Sequence, residues 1–167
     1  MTWLVMLVAL VASALLQALL PAGPLPGHVK APLLLGVVVY YALVRRRGIM
    51  LAAALTAGLL HDGLSVIPLG YSSCAFCVVG LAVHRYRDAV FARRGLTHLL
   101  FGAMAGGGMT LMLAVMMGSS GLIGWDPGLV AIRLVSSAAW GAAAVPVVFR
   151  LLEHLEGLVG NPSETAV

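Results

Sequence analysis

The chain has very little charge for its length. Only 10% of its 167 residues are Asp, Glu, Lys or Arg, whereas 61% are hydrophobic, and the mean hydropathy is +1.03. Soluble domains contain about 25% charged residues, so this composition excludes an ordinary soluble domain. The length allows one membrane-embedded helix bundle and no separate soluble domain of any size.

The basic residues are confined to short clusters between apolar runs. A basic stripe with interleaved aromatic residues, the usual mark of a nucleic-acid surface, is missing, so we expect no nucleic-acid partner. We interpret the positive charge as a signal of membrane topology and as a contact for anionic lipid headgroups.

Cysteine is scarce too. Cys74 and Cys77 lie three positions apart inside an apolar segment. A pair at this spacing suggests redox chemistry only in a soluble βαβ context, which the sequence does not offer. We interpret the pair as two small side chains on one helical face, and we expect neither a metal site nor a cofactor.

Six apolar segments predict an all-α fold, a polytopic membrane protein with a six-helix transmembrane bundle over residues 1–156. The predicted helices cover about 3–20, 30–44, 48–63, 69–84, 96–117 and 129–152, and residues 157–167 form a polar tail. The first run has no basic segment before it and no small-residue cleavage site after it. We therefore expect it to be a retained helix rather than a signal peptide.

The orientation follows from the positions of Lys and Arg near the helix ends. With the N-terminus inside, one basic residue, Lys30, falls outside. The inner side receives eight arginines: Arg45, Arg46, Arg47, Arg85, Arg87, Arg93, Arg94 and Arg150. Six crossings then place both termini in the cytoplasm, with the chain in the bacterial cytoplasmic (inner) membrane.

Asp62 is the most informative residue, because it lies between two strongly apolar stretches. An ionisable side chain at bilayer depth costs a few kcal/mol or more and indicates a functional site. Asp62 lies about 22 Å along its helix from Arg47, and Arg133 lies about 26 Å along the last helix from Arg150. These similar depths make Asp62 and Arg133 a candidate intramembrane ion pair, with independent contact to the headgroups as the alternative.

The residues around Asp62 predict a tight turn near the outer surface. We expect the turn, which comprises His61, Asp62, Ser65, Pro68, Leu69 and Gly70, to be structural or to bind a partner. Ser65 would cap the helix or hydrogen-bond the Asp62 carboxylate, Pro68 would fix the turn, and Gly70 would let the next helix start close to its neighbour. Adjacent residues of one helix point in different directions, so His61, Asp62 and Ser65 are not a hydrolytic triad. We expect no enzyme activity.

The fifth predicted helix contains small residues at close-packing spacing. Gly102 and Gly106 form a G-x-x-x-G motif, which lets two membrane helices approach closely. In a chain with 20 glycines the motif is a weak signal, and we expect packing inside the bundle rather than a dimer face.

Residues 58–70 follow the pattern G-L-L-x-D-x-x-S-x-x-P-L-G and are followed by Tyr71 and Ala75. This pattern resembles the rod-shape-determining MreD family. The proline-rich outer loop, the short helix that ends with Tyr40 and Tyr41 before a basic turn, and the chain length are also similar. His61 and Val66 depart from the residues expected at their positions, which affects details of the turn.

The resemblance implies a non-enzymatic membrane component of the bacterial cell-elongation machinery. Such a protein would bind the bitopic protein MreC and, through it, act with MreB, RodA and the penicillin-binding transpeptidase of RodA in cell shape and peptidoglycan synthesis. The family is also similar in fold to the substrate-binding subunit of energy-coupling-factor vitamin transporters, which supplies the alternative function. A vitamin pocket needs several convergent polar or aromatic groups, and the candidates near the outer side are few: Trp125, Tyr71, Asp62, His61 and Arg133.

Overall fold

The structure, a computed structural model, describes residues 2–20, 32–65, 69–86, 96–119 and 127–158. These residues form six α-helices and no strand, so the predicted all-α class is confirmed. The helices are α1 (Thr2–Leu19), α2 (Leu33–Val44), α3 (Arg47–Leu64), α4 (Tyr71–Arg85), α5 (Leu96–Ser119) and α6 (Pro127–Leu158).

α2 is the central helix of the bundle. Its residues are apolar all round, and ten successive positions, 34–43, are buried. A helix without a polar face has to be surrounded by others, and α2 packs against α1, α3, α4, α5 and α6. The remaining helices therefore form a shell around α2.

Consecutive helices run in opposite directions. The amide of Leu34 at the start of α2 donates to the side chain of Gln17 near the end of α1. Gly58 of α3 lies against Ser73 of α4, and Gly102 of α5 lies against Gly141 of α6. The bundle consequently has two ends: the Asp62 end, where α3 stops, and the Arg45 end, where α2 and α6 stop.

Glycines let α5 and α6 pack at backbone distance. A Cβ atom on Gly102 would collide with the carbonyl oxygen of Gly141, and one on Gly106 would collide with that of Ser137. The expectation that the Gly102–Gly106 motif packs inside the bundle is thus confirmed.

Among the described residues, two helices are long and apolar enough to cross a membrane. The candidate spans are Leu99–Ser119 in α5, with a mean hydropathy of 1.8, and Pro127–Gly157 in α6, with a mean hydropathy of 1.5. Large apolar side chains also project from the outside of the bundle, for example Leu4 and Leu15 on α1 and Met104 on α5. Such an apolar exterior is uncommon on a soluble monomer and suits contact with lipid.

The predicted helix bounds agree with the structure to within three residues, except at the end of α6. We expected α6 to stop at 152, ahead of the charged residues Glu153, His154 and Glu156. Instead the helix continues to Leu158 and buries Glu156 at 2% exposure. The expected end was wrong because Glu156 has a partner inside the bundle, as described below.

Candidate functional site

Asp62 is buried where the ends of α3 and α4 meet. Its side chain is 2% exposed, Oδ2 accepts a hydrogen bond of 2.7 Å from the Gly70 amide, and Oδ1 accepts one of 3.2 Å from the Ser72 amide. The first N–H groups of a helix have no partner within it, and a carboxylate there also interacts favourably with the helix dipole. Asp62 therefore caps α4 from the preceding helix.

Two glycines allow the Asp62 side chain to reach the first amides of α4. A side chain at Gly58 would collide with the backbone of Ser73, so α3 and α4 can approach only because Gly58 has none. Gly70 has a φ of 101°, in the left-handed region that favours glycine, and this turn directs its amide toward Asp62. We call α3 and α4 together the α3–α4 hairpin. Gly58, Asp62 and Gly70 determine how its two helices meet.

The structure does not bring Asp62 and Arg133 together. Arg133 is exposed on α6, and both Asp62 oxygens are engaged by α4 amides. Among the described residues the ion pair is Arg45 with Glu156, at the other end of the bundle. The inference from equal depth failed because α3 and α6 do not pack extensively against each other, so two charges at one level need not meet.

The other predicted residues of the turn that the structure describes lie around the cap. The His61 ring contacts the Phe76 ring edge-on at a centroid distance of 5.9 Å. Ser65 closes α3 through its own amide, which donates to the Asp62 carbonyl at 3.2 Å, and Leu69 is 75% exposed. Pro68 lies outside the described residues.

A cavity of about 280 Å³ opens beside the hairpin, at the Asp62 end. All six helices or their ends contribute to its wall. Its polar lining residues are Gln17, His61, Ser65, Thr110 and Ser137. Of the residues that sequence reasoning nominated for a pocket, His61 lines the cavity, whereas Trp125 lies outside the described residues.

Sequence reasoning missed a buried polar cluster at the Arg45 end. Glu156 Oε2 accepts hydrogen bonds from Tyr40 Oη at 2.9 Å and from Arg45 Nη2 at 3.0 Å, and both charged side chains are almost fully buried. Tyr41 Oη, Arg45 Nε and Glu156 Oε1 are also buried and have no hydrogen-bond partner among the described residues. Removing one member of such a pair leaves the other charge buried without a partner, which is strongly destabilising. The cluster therefore holds the end of α6 against the end of α2.

Two observations on the described part of the chain concern metal ligands and thiols. Cys74 is exposed and Cys77 half-buried, and both are free. Within the same residues no three His, Cys, Asp or Glu side chains are grouped as metal ligands.

Comparisons with family models, curated protein sequences and solved structures gave no match to the chain.

Proposed function

We propose that the chain is a multi-pass protein of the bacterial cytoplasmic membrane, crossing it six times with both termini in the cytoplasm. The alternating helix directions place Arg45, Arg46, Arg47 and Arg85 at one end of the bundle, together with the start of α1 and the end of α6. Arginines near helix ends are retained on the cytoplasmic side, which supports this orientation. The apolar exterior of α1, α5 and α6 supports contact with lipid.

Within that membrane we propose a non-enzymatic assembly role in cell elongation, like that of the MreD family. The supporting observation is that the residues of the family-like pattern serve one structural purpose. Gly58 permits the close helix contact, Asp62 caps α4, and Gly70 supplies the turn. A motif whose residues hold a hairpin rigid suits a docking element better than a reaction centre.

The hydrogen bonds that Asp62 accepts support a role without catalysis. A general acid or base needs a carboxylate oxygen within reach of substrate. Both oxygens of Asp62 accept backbone N–H groups, and the side chain is 2% exposed. The carboxylate is thus committed to structure.

The outside of the hairpin offers a surface for a partner helix. Leu55 and Leu59 project from α3, and Val78 and Leu81 from α4, each between 44% and 54% exposed. Membrane helices associate through close packing and a few polar contacts. In our proposal this surface holds the transmembrane or juxtamembrane segment of an MreC-like bitopic protein, through which MreB, RodA and its penicillin-binding transpeptidase are reached.

Depletion of the protein in its host tests this role. We expect rounded, swollen cells whose new wall is no longer inserted in order along the side wall, and recovery of rod shape when the parent chain is resupplied. Resupply of Asp62→Ala should restore shape poorly, whereas Glu153→Ala, which removes an exposed carboxylate, should restore it fully. Normal shape after complete depletion would contradict the proposal.

The alternative, a substrate-binding subunit of an energy-coupling-factor vitamin transporter, is supported by the cavity beside His61. Mild-detergent purification separates the two functions. The assembly role predicts a co-purified bitopic protein, whereas the transporter predicts a membrane coupling subunit with two ATPases.

A further inference from the structure

We propose that the cavity at the Asp62 end binds a small, uncharged amphipathic molecule. The hydrogen-bond acceptor of this molecule faces Gln17 and His61, and the hydrogen-bond donor of the molecule faces Thr110 and Ser137. The inference stands apart from the assembly role, because it rests on the cavity wall and not on the partner surface of the hairpin.

Two hydroxyl groups, one on α5 and one on α6, offer hydrogen-bond acceptors to a ligand in the cavity. Thr110 Oγ1 donates to the Gly106 carbonyl at 3.1 Å, and Ser137 Oγ donates to the same oxygen at 2.9 Å. A hydroxyl has one proton to donate, so each of these groups has only its lone pairs left to offer a ligand. A ligand meets them best with an O–H or N–H group.

The part of the wall formed by α1 and α3 has donors to offer. Gln17 Oε1 accepts the Leu34 amide at 3.3 Å, which fixes the carboxamide and leaves its N–H groups for other partners. His61 adds a ring nitrogen that carries a proton in either tautomer. The acceptor of the ligand, a carbonyl for instance, belongs on this side.

The remaining wall and the size define the rest of the ligand. Leu34, Leu35, Phe76, Met109 and Leu113 line the space between the polar groups. Among the described lining residues there is no Asp, Glu, Lys or Arg, and burying an ion without a partner is costly, so these residues suit an uncharged ligand. At about 280 Å³ the cavity is just below the usual range for ligand pockets, roughly 300–1,000 Å³, so the ligand is small.

Photolabelling with para-hydroxybenzophenone tests the proposal, since this probe combines an apolar body, a carbonyl acceptor and a hydroxyl donor. The full chain in lipid nanodiscs is irradiated with the probe, and the labelled residues are mapped by mass spectrometry. Unsubstituted benzophenone, which lacks the donor, is the matched probe. We expect saturable labelling of cavity residues, Met109 among them, and tighter binding of the hydroxylated probe.

Two alanines of α1 provide a matched pair of variants. Ala18 and Ala12 are both exposed, but Ala18 lines the cavity and Ala12 does not. Ala18→Trp should abolish saturable labelling, and Ala12→Trp should leave it intact. Equal labelling in both variants, or labelling spread over the lipid-facing helices without saturation, would overturn the site.

Ser137→Ala tests the donor and acceptor arrangement. Losing one hydrogen bond should weaken binding of para-hydroxybenzophenone roughly three- to tenfold and leave benzophenone unchanged. An unfolded fraction would lower the binding of both probes equally, so the ratio of their affinities reports the contact itself. An unchanged ratio would overturn the proposed placement of the donor.

Discussion

Replacement of Asp62 by alanine should destabilise the protein by about 2–4 kcal/mol. The Ser72 amide is fully buried and would lose its acceptor, which costs about 1–3 kcal/mol. The Gly70 amide lies in an exposed turn, so its loss is closer to that of an ordinary helix cap, about 1 kcal/mol. For a chain of this length the sum corresponds to a melting temperature lower by about 4–16 °C.

The free energy of unfolding is measured by titrating the protein from mild detergent into sodium dodecyl sulfate, with the melting temperature as a second readout. Asp62→Asn retains one acceptor oxygen and should lose about half as much stability. Glu153→Ala, an exposed carboxylate on α6, should stay within about 0.5 kcal/mol of the parent chain. If Asp62→Ala is as stable as Glu153→Ala, the cap does not hold the hairpin and the reasoning is refuted.

Three further outcomes follow from the same structure. Glu156→Ala strands a buried guanidinium and should cost about 3–5 kcal/mol in the same titration; a loss below about 1 kcal/mol would mean that the cluster is not formed. Gly102→Ala places a methyl group against a backbone carbonyl of α6 and should cost about 1–3 kcal/mol, whereas Gly107→Ala, whose nearest neighbour would be 3.8 Å away, should be neutral; equal losses would contradict the packing of α5 on α6. With the native cysteines replaced, Gly48→Cys should react with an impermeant maleimide only after cell lysis, and reaction in intact cells would reverse the proposed topology.

The helices were predictable because each apolar run is bounded by prolines, glycines or charges. The end of α6 was the exception. Charged residues after an apolar run, here Glu153, His154 and Glu156, predict the end of a membrane helix. The Glu156 side chain instead points into the bundle, where it contacts Arg45 and Tyr40. Its partners lie more than 100 positions away in sequence, so no local pattern reveals them.

Asp62 was identified from the cost expected of a charge between two apolar runs, but its partners were not. They are backbone amides eight and ten positions further on, and every residue carries such a group. The cavity could not be predicted from the sequence for a similar reason. Gln17, Thr110 and Ser137 lie in three separate apolar runs, and only the packing of their helices brings them together.

Site-specific photocrosslinking in the host tests the central claim most directly. A photoreactive amino acid at Leu59, 54% exposed on the hairpin, is compared with the same residue at Val147, 64% exposed on α6. Our account predicts that Leu59 captures a bitopic MreC-like protein and that Val147 does not. Capture of that protein from Val147 alone, or from neither position, would contradict the assignment of the α3–α4 hairpin as its docking surface.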